Sequence, residues 1–280
     1  MTTLDTTLPD SPAAPRIPLT APVNLRDLGG IAVDGGTVRT GVVLRADDLS
    51  TADQDTVDAL VAGGLRAVVD LRSADEVAVT GRGPLATRSE VTYHHVPFLA
   101  DIGHAAVGTD GTDGTDGAPD PAEMMDQSRF GAMYLRMFEG AAAQIVTALA
   151  VVAHSPGAVA FHCAAGQDRT GVLAAALLLA LGADEAAIVA DYARTGESSA
   201  AIQERLAPVM APLLARFGFD LDDAARAALR TGFSREPMRE LLAALAERHG
   251  DPLIPLRAAG LTDGLVARLR ERALVGPGAA

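Results

Sequence analysis

The only cysteine of the chain, Cys163, lies in AVAFHCAAGQDRTGV, residues 158–172, and Arg169 follows it with Gly166 between them. A thiolate is an intrinsically strong nucleophile. A guanidinium presents a planar fork of donors that matches two oxygens of a phosphate. Between the two, Ala164, Ala165 and Gly166 leave the backbone bare, and Gly166 permits a positive φ. Such a turn can aim successive N–H groups at one point and form an anion nest. A helix starting just beyond, near Arg169 or Thr170, aims its positive end at the same place. The pattern describes a cup for a tetrahedral dianion, with Cys163 at its base and residues Ala164 to Arg169, Gln167 and Asp168 included, as its wall. The same donors favour the thiolate form. Held opposite a bound phosphate, that thiolate would attack in line, form a cysteinyl-phosphate and yield to water. Thr170 could donate a hydrogen bond to the sulfur, and His162 is placed to orient the loop rather than to act as a base.

A lone cysteine after a strand is more often a small core residue. That reading gives no reason for the polar QDRT set between an apolar strand and an apolar helix.

The elements that must hold this turn are legible on either side. GAVAFH reads as a short strand buried on both faces. Upstream, Thr37–Ala46 reads as one strand, and Ser50 or Thr51 can cap a helix running towards Ala62. GGLRAVVDL reads as a turn and a strand ending near Asp70. Ser73 and Glu76 have capping-box spacing, and EVTYHHVPFL is a further strand. Glu123 to Ala153 reads as one long or broken helix. Strands alternating with helices predict an α/β fold, a mainly parallel sheet with helices on its faces. After the motif the chain is nearly all helical, over about 184–274, and this part could complete the domain or form a lid. The expected organisation is a disordered leader over residues 1–23 and a single domain over 24–280. A Gly-Thr-Asp repeat over 107–121 is read as a flexible acidic insertion. Its spacing fits neither an EF-hand loop nor a nine-residue calcium repeat.

A formal net charge of −13 argues against nucleic acid as a bulk partner and against stable association with an acidic membrane surface. One cysteine rules out an internal disulfide and a cysteine-rich zinc site. The leading residues lack the charged and apolar regions of a signal peptide. The default expectation is therefore a cytoplasmic protein, with export by a route lacking such a signal left open.

The stretch HCAAGQDRTG resembles the H-C-x-x-G-x-x-R-[ST]-G phosphate loop of the cysteine-dependent protein tyrosine and dual-specificity phosphatases. NLRDLGG, VVDLRSADEV, VPFLAD and ADYARTGESS, in that order, resemble motifs of a bacterial, mycobacterial-type branch of that family, and the likeness runs from about Asn24 to Leu274. The resemblance implies a phosphomonoesterase without metal or other cofactor. Cys163 would be its nucleophile, Arg169 would bind phosphate and stabilise the transition state, and the backbone from Ala164 to Arg169 would hold the equatorial oxygens. It implies phosphotyrosine proteins as substrates, and for some members phosphoserine, phosphothreonine and phosphoinositides. The leaving oxygen needs a proton. Asp168 matches the loop aspartate of this branch and is the favoured general acid. Asp101, after VPFLA, is the alternative. Gln167 stands where many members of the branch carry Lys, which weighs against lipid phosphates.

Two other readings stand beside this one: the same chemistry on a small phosphorylated metabolite, and a phosphate-binding module without catalysis. Further residues have weaker assignments. Asn24, Arg26 and Asp27 could brace the floor of the site or form an ordinary turn. Asp70 and Arg72 end a strand where ligand crevices form, and a salt bridge is the favoured reading. Phe98 could line the entrance or the core. His94 and His95 alternate along a strand, and a metal site there is disfavoured.

Overall fold

The structure, a computed structural model, describes residues 17–98, 130–216 and 232–276. The described residues form eight short strands: β1 (Arg26–Asp27), β2 (Ala32–Val33), β3 (Gly36–Val38), β4 (Val43–Ala46), β5 (Leu65–Asp70), β6 (Thr92–His95), β7 (Ala158–His162) and β8 (Leu274–Val275). The main sheet has the order β1-β4-β7-β5-β6. β4, β7, β5 and β6 run parallel, and β1 pairs antiparallel at one edge. This is the mainly parallel sheet flanked by helices that the alternation of elements predicts.

The register matters most for function. Ala46 pairs with His162, His162 with Asp70, and Asp70 with His95. All four parallel strands therefore end at one level, and the residues after them share one edge. Ligand crevices of such sheets form at this carboxyl edge. β7 lies in the middle with all five of its residues buried. Its side chains alternate between faces, as strand geometry requires. Val159 and Phe161 join the larger apolar cluster, and Ala158 and Ala160 join the smaller one. Burying a side chain like Phe161 contributes roughly 1.5–3 kcal/mol, so the strand before Cys163 is firmly fixed.

The helices are α1 (Gln54–Ala62), α2 (Ala74–Thr80), α3 (Phe130–Gly140), α4 (Ala142–His154), α5 (Asp168–Leu181), α6 (Glu185–Ala193), α7 (Ser199–Arg216), α8 (Glu236–His249), α9 (Ile254–Ala258) and α10 (Asp263–Ala273). α1 packs on the smaller-cluster face, where Val57 and Val61 meet Leu65 and Val68. α3 to α6, α8 and α10 contribute to the larger cluster. α5 is apolar and buried on nearly every side, and it ends at Gly182 in the left-handed conformation with φ 90°. Among the described residues no single helix is long and apolar enough to cross a membrane; α3 and α4 would be so only as a pair, and they are bent by 72°.

Several sequence expectations are corrected. Thr37–Ala46 is not one strand. Gly41, with φ 75°, separates β3 from β4, and β3 turns away to pair with β2 and β8. The first long helix is capped by Asp53, whose carboxylate accepts from Thr56 N–H, not by Ser50 or Thr51. Those two residues lie in a 3₁₀ turn capped by Asp48. The described part of 123–153 is the broken form of the expected helix, two helices interrupted at Ala141 and bent by 72°. Residues 17–23 fall within the leader expected to be disordered, yet Thr20 N–H donates to Thr51 O at 2.9 Å and the Arg205 guanidinium holds Thr20. Asp101 and residues 107–121 lie outside the described residues.

Candidate active site

Cys163 follows β7 directly and is 1% exposed. The turn after it is built by its outward-facing carbonyls. Ala164 O accepts from Asp48 N–H at 3.0 Å. Asn24 Nδ2 donates to Ala165 O and Gly166 O, both at 3.2 Å. Arg45 Nη2 donates to Gly166 O at 2.8 Å. In a trans peptide the C=O and the following N–H point to opposite sides. Pinning these three carbonyls therefore turns the N–H groups of Ala165, Gly166 and Gln167 away from Asp48, Asn24 and Arg45. Gly166 has φ 68°, and a Cβ there would lie 2.6 Å from Ala46 O. No residue with a side chain fits that corner.

Arg45 and Arg26 converge on one carboxylate behind the loop. Arg45 Nη1 meets Asp191 Oδ2 at 2.5 Å, and Arg26 Nε meets Oδ1 at 3.0 Å. Burial opposes the Asp191 charge, but Arg45 and then Arg26 outweigh it and hold its pKa below the ordinary carboxylate value. Two guanidiniums against one carboxylate leave a net positive charge behind the loop.

Arg169, in the first turn of α5, is fixed by Glu76 of α2. Its Nη2 donates to Oε1 at 2.8 Å, and its Nη1 donates to Oε2. Burial works against the Arg169 charge. The Glu76 hydrogen bonds, followed by the charges of Cys163, Glu76 and Asp168, outweigh it and raise the pKa above its ordinary value. The guanidinium is thus permanently charged and aimed by a rigid fork.

Asp168 accepts a hydrogen bond from Tyr134 Oη at 2.5 Å, and Tyr134 Oη lies 2.8 Å from Tyr192 Oη. Burial raises the Asp168 pKa above its ordinary value, against the lowering effects of Tyr134 and Arg169. A carboxyl group biased towards its protonated form beside a phosphate loop is equipped to give up a proton. The described residues contain no cluster of His, Cys, Asp or Glu suited to a metal.

The sequence profile of a tyrosine phosphatase family matches residues 17–275. The chain belongs to that tyrosine phosphatase family. It is an enzyme of the protein tyrosine phosphatase class. It is similar to a provisionally named tyrosine-protein phosphatase of Cupriavidus necator, with 31% identity over 193 residues, covering 68% of this chain and 66% of the relative. It is also similar to the triple specificity protein phosphatase PtpB of Mycobacterium tuberculosis, with 31% identity over 277 residues, covering 88% of this chain and 95% of the relative. A tyrosine-protein phosphatase of Nostoc commune is 32% identical over 155 residues, 54% of this chain and 47% of that protein.

Within this phosphatase the other sequence candidates fall into place. His162 is 1% exposed. Its Nδ1 lies 3.1 Å from Cys163 O and 3.3 Å from Leu49 N, and its Nε2 lies 3.8 Å from Asp70 Oδ2. It braces the backbone at Cys163. Thr170 is fully buried, but its hydroxyl has no hydrogen-bond partner among the described residues, so the expected bond to the sulfur is not made. Asn24 braces the floor directly. Arg26 does so through Asn24 Oδ1 and Asp191, whereas Asp27 only closes a turn by accepting from Gly29 and Gly41 N–H. Asp70 and Arg72 form a buried salt bridge at 2.6 Å, which Asp48 joins. Phe98 is buried in the larger core cluster, and His95 Nε2 bonds to Arg72 O.

Five contributors escaped the sequence reading: Arg45, Glu76 as the partner of Arg169, Tyr134, Asp191 and Tyr192. Glu76 was visible only as a helix cap, and Asp191 and Tyr192 only as letters within ADYARTGESS. A buried-looking arginine in the apolar strand VVLRA was the one local signal for Arg45.

Proposed function

We propose that Cys163 attacks the phosphorus of a phosphotyrosine side chain bound in the loop, displacing the tyrosine oxygen. Arg169 and the inward N–H groups of Ala165, Gly166 and Gln167 hold the equatorial oxygens as charge builds on them. Asp168 gives its proton to the departing oxygen. Water then attacks the cysteinyl-phosphate, passing its proton to Asp168 and restoring the thiolate. The observation that carries this reading is the bracing of three successive carbonyls by Asp48, Asn24 and Arg45, which leaves the N–H groups of the loop free to face a bound phosphate.

The substrate class proposed is phosphotyrosine in proteins, with phosphoserine and phosphothreonine as lesser substrates. PtpB of Mycobacterium tuberculosis is named for triple specificity. In this chain the position inside the loop is a neutral Gln167. It adds no cation for a polyphosphorylated headgroup, which favours a phosphopeptide over a phosphoinositide.

The test is turnover of p-nitrophenyl phosphate in chelator by the wild type and by Cys163→Ser. We expect the variant to lose at least about 10⁴-fold in kcat. Equal rates would overturn the mechanism. A panel of phosphopeptides, phosphoinositides, sugar phosphates and nucleotides then ranks substrates, and a preference for a small metabolite would overturn the protein substrate.

A further inference from the structure

The acid proposed above has two oxygens, and Tyr134 donates to one of them. We propose that Tyr134, backed by Tyr192, is a positioning residue that reserves Asp168 Oδ1 as an acceptor and so places the acidic proton on Oδ2. This rests on the assignment of Asp168 as general acid.

The geometry is a directed chain. Tyr134 is 0% and Tyr192 1% exposed. Tyr134 has one hydroxyl proton and donates it to Asp168 Oδ1 at 2.5 Å. The proton in the 2.8 Å contact between the two hydroxyls must therefore belong to Tyr192. The rings meet edge to face, 6.0 Å apart and at 83°, so neither hydroxyl can swing away freely. Gly171 makes the approach possible. A Cβ there would stand 3.1 Å from two atoms of the Tyr192 ring, tighter than ordinary contact.

The other charges near Asp168 do not compete for Oδ1. Arg169, on the same helix, is held by Glu76 of α2. Arg45 of β4 acts on Tyr192 and is paired with Asp191, which also holds Arg26. Tyr134 itself is kept protonated by burial, so it donates throughout and never becomes the acid.

The cycle then balances. As the sulfur–phosphorus bond forms and the phosphorus–oxygen bond breaks, the Oδ2 proton moves to the leaving oxygen. Tyr134 continues to donate to Oδ1 of the resulting carboxylate. As water attacks, its proton returns to Oδ2, the sulfur–phosphorus bond breaks, and phosphate and thiolate are released.

The test compares Tyr134→Phe, Tyr192→Phe, the double variant and Asp168→Asn, using p-nitrophenyl phosphate, whose leaving group needs little acid, and a phosphotyrosine peptide, whose leaving group needs more. Tyr134→Phe is expected to lower kcat on the peptide about tenfold, the effect of one lost hydrogen bond to a charged group, and to spare p-nitrophenyl phosphate. It removes a donor that favours the carboxylate, so the alkaline limb of the kcat profile moves to higher pH. Tyr192→Phe moves both readouts the same way but less, and the double variant matches Tyr134→Phe because Tyr192 acts through it. Unchanged inhibition by inorganic phosphate verifies that the loop is intact. Equal losses on both substrates with an unmoved limb would make Tyr134 a packing residue and overturn the proposal. If Asp168→Asn lacks the peptide-selective loss, the acid assignment falls first and the proposal with it.

Discussion

Glu76 closes the capping box of its own helix and grips Arg169 from across the site with the same carboxylate. Its Oε2 accepts from Ser73 N–H at 2.7 Å, while its Oε1 takes Arg169 Nη2 at 2.8 Å. The start of α2 is thereby rigidly joined to the Arg169 side chain. Glu76→Gln separates the two duties, since Gln also serves in a capping box. We expect the helix to persist and kcat/KM to fall by about 10²-fold, the scale of a misplaced binding group. Glu76→Ala removes one partner of a buried pair and should cost about 3–5 kcal/mol in urea unfolding as well. Equal kinetics of wild type and Glu76→Gln would show that Arg169 needs no guide.

Asp168 links activity and stability through pH. Burial raises its folded-state pKa above the unfolded value. The folded state therefore favours the protonated form. Whatever stability this gives is complete below the unfolded pKa and is lost as pH rises through the folded one. Asp168→Asn imitates the protonated carboxyl at every pH. We expect its melting temperature to exceed that of the wild type at neutral pH and the difference to vanish in acid. Its kcat on phosphotyrosine peptide should fall and lose the alkaline limb. A melting difference that grows on acidification would contradict the sign.

Asp191 is the single carboxylate between two buried arginines. Replacing it by Asn leaves Arg26 and Arg45 facing one another without a counter-charge. We expect a loss of about 3–5 kcal/mol in unfolding free energy. Arg45 also holds Gly166 O, so inhibition by inorganic phosphate should weaken in parallel. Stability lost with phosphate inhibition unchanged would separate the cluster from the loop.

Gly166→Ala tests the corner of the cup. The left-handed conformation costs a residue with a side chain about 1–2 kcal/mol. The new Cβ also meets Ala46 O at 2.6 Å. The loop must move, and both kcat and phosphate inhibition should deteriorate while the far helices stay folded by circular dichroism. Wild-type kinetics would refute the tight fit.

The parts of this enzyme that were legible in sequence are local. β7, the turn after it and α5 are adjacent in the chain, and their polarity changes abruptly at QDRT. The Ser73–Glu76 box spans a single helical turn. The parallel order of the sheet followed from alternation. What stayed hidden joins residues far apart: Arg169 and Glu76 are separated by 93 positions and Arg45 and Asp191 by 146. No periodicity records such a pairing. The break at Gly41 was different, because a glycine inside a strand pattern is itself a warning of a turn. At α1 three capping residues compete, Ser50, Thr51 and Asp53, and only the packing of the preceding 3₁₀ turn decides among them.

The bracing of the loop also sets an order of events during synthesis. Asn24, Arg45 and Asp48 leave the ribosome before the loop, and the pairs they make with it span up to 142 residues. Asp191, which steadies Arg45, leaves after it. Contacts of such span form late because long segments of chain must first be closed. A nascent chain that has just exposed Cys163 therefore carries the thiol without its finished cup. The bracing of the loop is complete only once α6 has brought Asp191 to Arg45.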